Sequence, residues 1–226
     1  MELTYYGQSC FLVKLMGKKI LFDPFITPNE LAKHIDITTI QADYIFVSHG
    51  HGDHIADCAA IALNTGAKVV ASFEIHTWLN DQGVTNTHPM NTGGKWKFEF
   101  GEVKAVVAQH SSGLPDGSYG GNPMGFVFKT DEKNFYYSGD TALTLDMHLV
   151  PKWVQPDFAV LPIGDNFTMG ADDAIEAAKI VGVKDVVGVH YDTFGYIKIN
   201  HQLSKDLFQN AGINLHLPAI GSTINI

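Results

Sequence analysis

Between a strand-like run, DYIFVS, and a helix-like run beginning IADCAA, the chain reads HGHGDH, from His49 to His54. Of eleven histidines in 226 residues, three fall within these six positions, with Asp53 among them. In extended backbone, residues two apart point the same way, so His49 and His51 can reach one ion. Gly50 and Gly52 remove Cβ atoms where such a loop has to fold tightly. Asp53 and His54 follow at the mouth of the helix, placed to serve a second ion nearby. Carboxylate oxygen mixed with imidazole nitrogen suits zinc, manganese or iron. The competing reading is a solvated polar loop with Asp53 as a helix N-cap. A lone His-x-His would deserve that reading; the full six-residue pattern is far more specific.

The surrounding composition is that of an ordinary globular host. Hydrophobic residues make up 45% and charged residues 17%, and the length suffices for a well-buried core. A formal charge of −9 without a basic stripe argues against a nucleic-acid partner. An anionic small molecule stays compatible, because a metal supplies local positive charge. Two cysteines, Cys10 and Cys58, exclude a disulfide framework and a four-thiolate site. No leader-like or bilayer-length apolar segment is visible. The expectation is a cytoplasmic protein with a small-molecule substrate and no membrane partner, a homo-oligomer being left open.

ELTYY, CFLVKL and KKILFD read as strands separated by turns, and DYIFVS as a strand covered on both faces. IADCAAIALNTG reads as one helix stopped by Gly66, KVVAS as a strand and EIHTWLNDQG as a short helix. WKFEF, EVKAVVAQH, MGFVFKT and NFYYS form a β-rich middle, with hairpin turns expected at GEVK and TDEKN. FAVLP, ADDAIEAAKIVG, DVVGVH and QLSKDLFQNAG then alternate, and short strands near NLHL and STINI close the chain. No linker or repeat divides it, so one domain over residues 1–226 is expected. The order β-rich, α/β, β-rich, α/β predicts two similar halves in an α/β (α+β) four-layer αββα sandwich.

HGHGDH resembles the H-x-H-x-D-H signature of the metallo-β-lactamase superfamily. That family's later motifs have counterparts in order: VVAQH with His110, FYYSGDT with Asp140 and VVGVHYDTF with His190. The resemblance implies a metallo-β-lactamase-like fold and two divalent ions, zinc by default and manganese or iron as alternatives. His49, His51 and His110 would hold one ion, Asp53, His54 and His190 the other, and Asp140 would bridge them. Asp23 in LFDPF would orient a ligand histidine from behind. His34, His76, His88, His148, His201 and His216 lack such contexts and are assigned to the surface or to packing.

YGQSCFLV, LFDPF, LPIGDNFTMGADDA and HYDTF are together similar to the small metal-dependent hydrolases related to ascorbate-6-phosphate lactonase. Many of those relatives carry His where this chain has Gln8, and Gln cannot carry a proton near neutral pH. The implied reaction is hydrolysis by a metal-bridged hydroxide, with Asp53 and Asp140 as the catalytic carboxylates. No G-x-S-x-G elbow offers a rival nucleophile. Loops at 111–123, 141–146, 164–170 and 191–196 are expected to line the cleft. Asp165, Asn166, Thr168, Met169, Tyr191 and Thr193 are the candidate substrate contacts. The chain has no arginine and so no bidentate clamp for a phosphomonoester; a lactone, amide or phosphodiester stays open, and the resemblance favours a lactone or related ester with a phosphodiesterase as the alternative. A metal-binding protein without catalysis would show a broken ligand set, and this set is complete.

Overall fold

The computed structural model describes residues 1–226. The chain opens with β1 (Glu2–Gly7), β2 (Cys10–Leu15), β3 (Lys18–Phe22), β4 (Tyr44–Phe46), β5 (Lys68–Ala71) and β6 (Thr87–Pro89). Along these strands successive side chains feed two different cores. Phe11, Val13, Phe22 and Phe46 enter one, while Cys10, Leu12, Leu21 and Ile45 enter the other. That alternation follows from the two-residue period of a strand. Because both faces are apolar, both must be covered.

A second sheet covers one face. It contains β7 (Lys95–Phe98), β8 (Gly101–Val107), β9 (Met124–Lys129), β10 (Phe135–Tyr137), β11 (Phe158–Pro162), β12 (Asp185–Val189) and β13 (Asn214–His216). Its spatial order is β13-β12-β11-β10-β9-β8-β7, and β14 (Thr223–Asn225) crosses back to give β14-β1-β2-β3-β4-β5-β6 in the first. In each sheet an antiparallel meander leads into parallel strands. The helices take the outer faces: α1 (Gly52–Ile55), α2 (Cys58–Thr65) and α3 (Phe73–Asp81) on the first sheet, with α4 (Val150–Trp153), α5 (Ala171–Val181) and α6 (His201–Asn210) on the second. The predicted αββα sandwich and its two similar halves are present. No helix is long and apolar enough to cross a membrane.

Two local expectations are corrected. The single helix expected over IADCAAIALNTG is broken, because the Asp57 carboxylate accepts from the backbone of Ile26 at 2.6 Å and Thr27 at 2.8 Å. The turn expected at GEVK falls two residues earlier, at Glu99–Phe100, and Gly101 opens β8 opposite Phe98. The closing strand expected near STINI is present and joins the first sheet, pairing Ile224 with Leu3.

Aromatic rings fill the space between the sheets. Phe22 stacks on Phe11 with centroids 4.4 Å apart and meets Phe128, Phe135 and Tyr137 edge-on at 5.5–6.0 Å. Such pairs add to the area that the rings bury. Replacing Phe22 by Ala should cost about 3–5 kcal/mol in chemical denaturation; a loss near zero would mean that the two sheets do not depend on this layer.

Candidate metal centre

The site lies where strand ends of both sheets meet. His49, His51 and Asp53 follow β4, His110 follows β8, Asp140 follows β10, and His190 follows β12 directly. Close backbone approach makes this convergence feasible. A Cβ on Gly139 (φ +62°) would lie 2.8 Å from Met124 O and 2.9 Å from Ser48 Cβ. One on Gly50 would press Leu114 at 3.1 Å, whereas one on Gly52 would meet open space. Only the first of the two loop glycines is therefore required for room. Thr141 Oγ1 accepts from the Gln109 amide at 2.9 Å, tying the His110 segment to the Asp140 segment. The N-cap of α1 is His51, so Asp53 is free of the capping role.

Two clusters of donor atoms result, His49–His51–His110 and Asp53–His54–Asp140–His190. His49 Nε2 and His51 Nδ1 face each other at 3.0 Å. Asp140 Oδ2 lies 3.0 Å from His190 Nε2, 3.2 Å from His54 Nε2 and 3.7 Å from His110 Nε2, which puts it between the clusters. Asp53 Oδ2 is 3.4 Å from both His54 Nε2 and His190 Nε2. Two donors bound at about 2.0–2.1 Å to one tetrahedral ion sit roughly 3.3 Å apart, so these separations suit a cation.

The partners behind the clusters point the same way. Asp23 accepts from the Ser48 amide at 2.7 Å, from the Ser48 and Tyr137 hydroxyls, and lies 2.8 Å from His54 Nδ1. That directs His54 Nε2 inward, where it is buried without a hydrogen-bond partner, as is Asp140 Oδ1. Ser48 Oγ holds His49 Nδ1 at 2.9 Å. Outer nitrogens pinned by such groups and inner ones left open are the arrangement of metal-ligating imidazoles. Although Asp23 also lies close to His49 and His54, its oxygens already accept from Ser48 and Tyr137 and face His54 Nδ1, and orientation is the role its contacts support.

Burial opposes ionisation of Asp53 and Asp140, but the His54 and His190 imidazoles overcome it and hold both carboxyls well below their usual range. Conversely, burial opposes charge on His190, yet Asp140 and Asp53 raise it to about 9. Asp140, Asp53 and Asp23 likewise overcome burial to raise His54. His49, His51 and His110 are pushed down, chiefly by burial, and stay neutral donors.

A cavity of about 500 Å³ opens on the clusters, lined by His51, Asp53, His110, Ser111, Asp140, Phe167, His190, Phe194 and Tyr196. None of the six residues expected to contact substrate lines it. Met169 is fully buried, and Tyr191 packs between Tyr5 and His201. Asp165 turns back to accept from the Asn166 amide at 2.7 Å. The Thr168 and Thr193 hydroxyls donate to the carbonyls of Met169 and Tyr191. The neighbouring aromatics Phe167, Phe194 and Tyr196 face the cavity instead. Their signal is a ring inside a Gly-flanked loop, DNFTMG and TFGY. Among the other histidines, His88 packs on Trp96 and Phe98, and His201 and His216 pair with Asp192 and Asp185.

The raised histidines carry a pH consequence. Their protonated forms stabilise the metal-free fold below the ordinary value of 6.5, and the His190 contribution is lost as pH rises through about 9. A cation taking their place must displace those protons. Metal uptake at pH 7 should release about two protons per filled Asp53–His54–Asp140–His190 cluster, and affinity should climb toward pH 9. Calorimetry in buffers of different ionisation enthalpy measures this; uptake without proton release would contradict the charge assignment.

Comparison with known proteins agrees with this geometry. A model of the Beta-lactamase superfamily domain matches residues 18–191. A UPF0173 metal-dependent hydrolase of Christiangramia forsetii is 51% identical over 227 residues, all of both chains. One from Flavobacterium johnsoniae is 50% identical, again over the whole of each. Among solved structures, Igni18, a metallo hydrolase from Ignicoccus hospitalis, superposes with a TM-score of 0.88 at 32% identity, covering 99% of this chain and 97% of that one. These names specify metal dependence and hydrolysis but no substrate, so the narrower likeness to ascorbate-6-phosphate lactonase gains no support from them. The chain belongs to the metallo-β-lactamase superfamily, as one of its UPF0173 metal-dependent hydrolases.

Proposed function

We propose that this hydrolase is dinuclear and acts on small uncharged carbonyl compounds, a lactone or related ester. The observation that carries the substrate class is the cavity wall. Beyond the candidate ligands it consists of Ser111, Phe167, Phe194 and Tyr196. No lysine reaches it and the chain has no arginine, so no side-chain cation awaits a phosphate. An apolar wall with few polar groups suits a neutral molecule. A nucleic-acid strand finds no cationic groove here.

His49, His51 and His110 would hold one ion, and Asp53, His54 and His190 the other, with Asp140 placed to serve both. Zinc is the first choice for this donor set, and manganese or iron the alternatives. Bound there, the ions would supply an ionised water near neutral pH and polarise the carbonyl under attack. The chain's own groups do the rest. Gln8 ties Asp53 Oδ2 at 2.9 Å, leaving Oδ1 to hold the proton of the attacking water. Asp53 is the more open of the two carboxylates, 22% exposed against 2% for Asp140. Phe167 and Tyr196, edge to face at 6.2 Å, shield the apolar part of the substrate from water.

A hydrolysis screen of lactones and esters against phosphodiesters, with zinc-, manganese- and iron-loaded protein, tests the reading. Turnover of the carbonyl substrates is expected; turnover of phosphodiesters alone would replace it by a phosphodiesterase, and none at all would favour a non-catalytic metal-binding protein. Phe167 is half-exposed, so Phe167→Ala should leave folding intact. It should lower kcat/KM about tenfold for esters with long apolar acyl chains and about twofold for acetyl esters. Equal losses on both would exclude Phe167 from substrate selection.

A further inference from the structure

Gln8 occupies the turn between β1 and β2 and is fully buried with φ +52°, a region that side chains other than Asn and Asp seldom enter. Its Nε2 donates to Asp53 Oδ2 at 2.9 Å, the oxygen that lies 3.4 Å from Nε2 of both His54 and His190. Its backbone carbonyl accepts from the His190 amide at 2.9 Å and from the Tyr5 hydroxyl at 3.0 Å. One residue thus grips two members of the carboxylate-rich cluster, and it makes no hydrogen bond to His49, His51 or His110.

The orientation of the Gln8 amide follows from charge. Turned over, it would set Oε1 against a carboxylate that stays ionised. As it stands, Oε1 is buried without a partner, a destabilising arrangement. A strained φ and an orphaned oxygen at one residue are the kind of cost retained at functional sites. His190 repeats the pattern across the shared hydrogen bond, with φ +57°.

We infer that Gln8 is a positioning residue that sets the affinity of the Asp53–His54–Asp140–His190 ion position, fixing Asp53 through its amide and His190 through its carbonyl. This rests on the dinuclear reading above. A neutral donor suits the task. It orients the carboxylate without a full positive charge that would compete with a cation, and it does not titrate, so its hold is independent of pH.

Two variants separate the amide from the turn. Gln8→Gly removes the side chain but favours φ +52°; Gln8→Met fills the space without a donor. The probe is cobalt(II) alone, titrated into metal-free protein and followed by visible absorption. Wild type should take up two equivalents. In both variants one equivalent should weaken by about 10–100-fold with altered absorption bands, while the other keeps wild-type affinity. Thermal unfolding of the metal-free Gln8→Gly protein should match wild type. Two unchanged equivalents, or two weakened alike, would overturn the inference. A wild type that takes up a single ion would defeat the dinuclear reading separately. A 10–100-fold loss for that one ion would then still support the Gln8 role, and unchanged affinity would refute it.

Discussion

The Asp140 carboxylate, 2% exposed, sits within 3.7 Å of imidazole nitrogens from His54, His110 and His190, and keeping a buried charge there is the condition on which the surrounding structure depends. A buried carboxylate stays ionised only where cations or donors face it. The three imidazoles come from α1 and from beyond the ends of β8 and β12, so they reach Asp140 only if the two sheets pack in one relation. The aromatic layer around Phe22, Phe46 and Phe128 fixes that relation. Gly139 allows the final approach, because any Cβ there would collide with the Met124 carbonyl and Ser48.

Backbone strain concentrates in the same region. Seven non-glycine residues have positive φ: Gln8, Met16, Asp23, Asp165, Asn166, His190 and Asp192. All but Met16 lie in loops that carry candidate ligands, their orienting partners or the cavity aromatics. A rigid two-sheet scaffold can hold such conformations in place. Gly164 adds a tight crossing, since a Cβ there would fall 2.0 Å from the His190 carbonyl oxygen. The loops bearing Phe167 and His190 are thereby locked against each other.

This division explains what was legible in the sequence. The ligand motif is legible because ion geometry demands particular residue types at strand ends, a pattern that chance seldom supplies. The layers are legible because strands buried on both faces and amphipathic helices leave different periodicities. What escapes is set by tertiary contacts. Nothing local marks Asp57 as the residue that breaks a helix by gripping Ile26 and Thr27. Phe167, Phe194 and Tyr196 resemble core residues as letters, and only positive φ at Asp165, Asn166 and Asp192 delivers them to the cavity. Met169 and Tyr191 are turned inward by the same loops.

The proposed dinuclear site requires one buried carboxylate to serve two ions at once. Anomalous scattering from crystals grown with zinc tests it directly. Two peaks are expected, about 3.5–4 Å apart, one among His49, His51 and His110 and the other among Asp53, His54 and His190, with Asp140 between them. A single peak at full occupancy, or two peaks with Asp140 bound to neither, would contradict it.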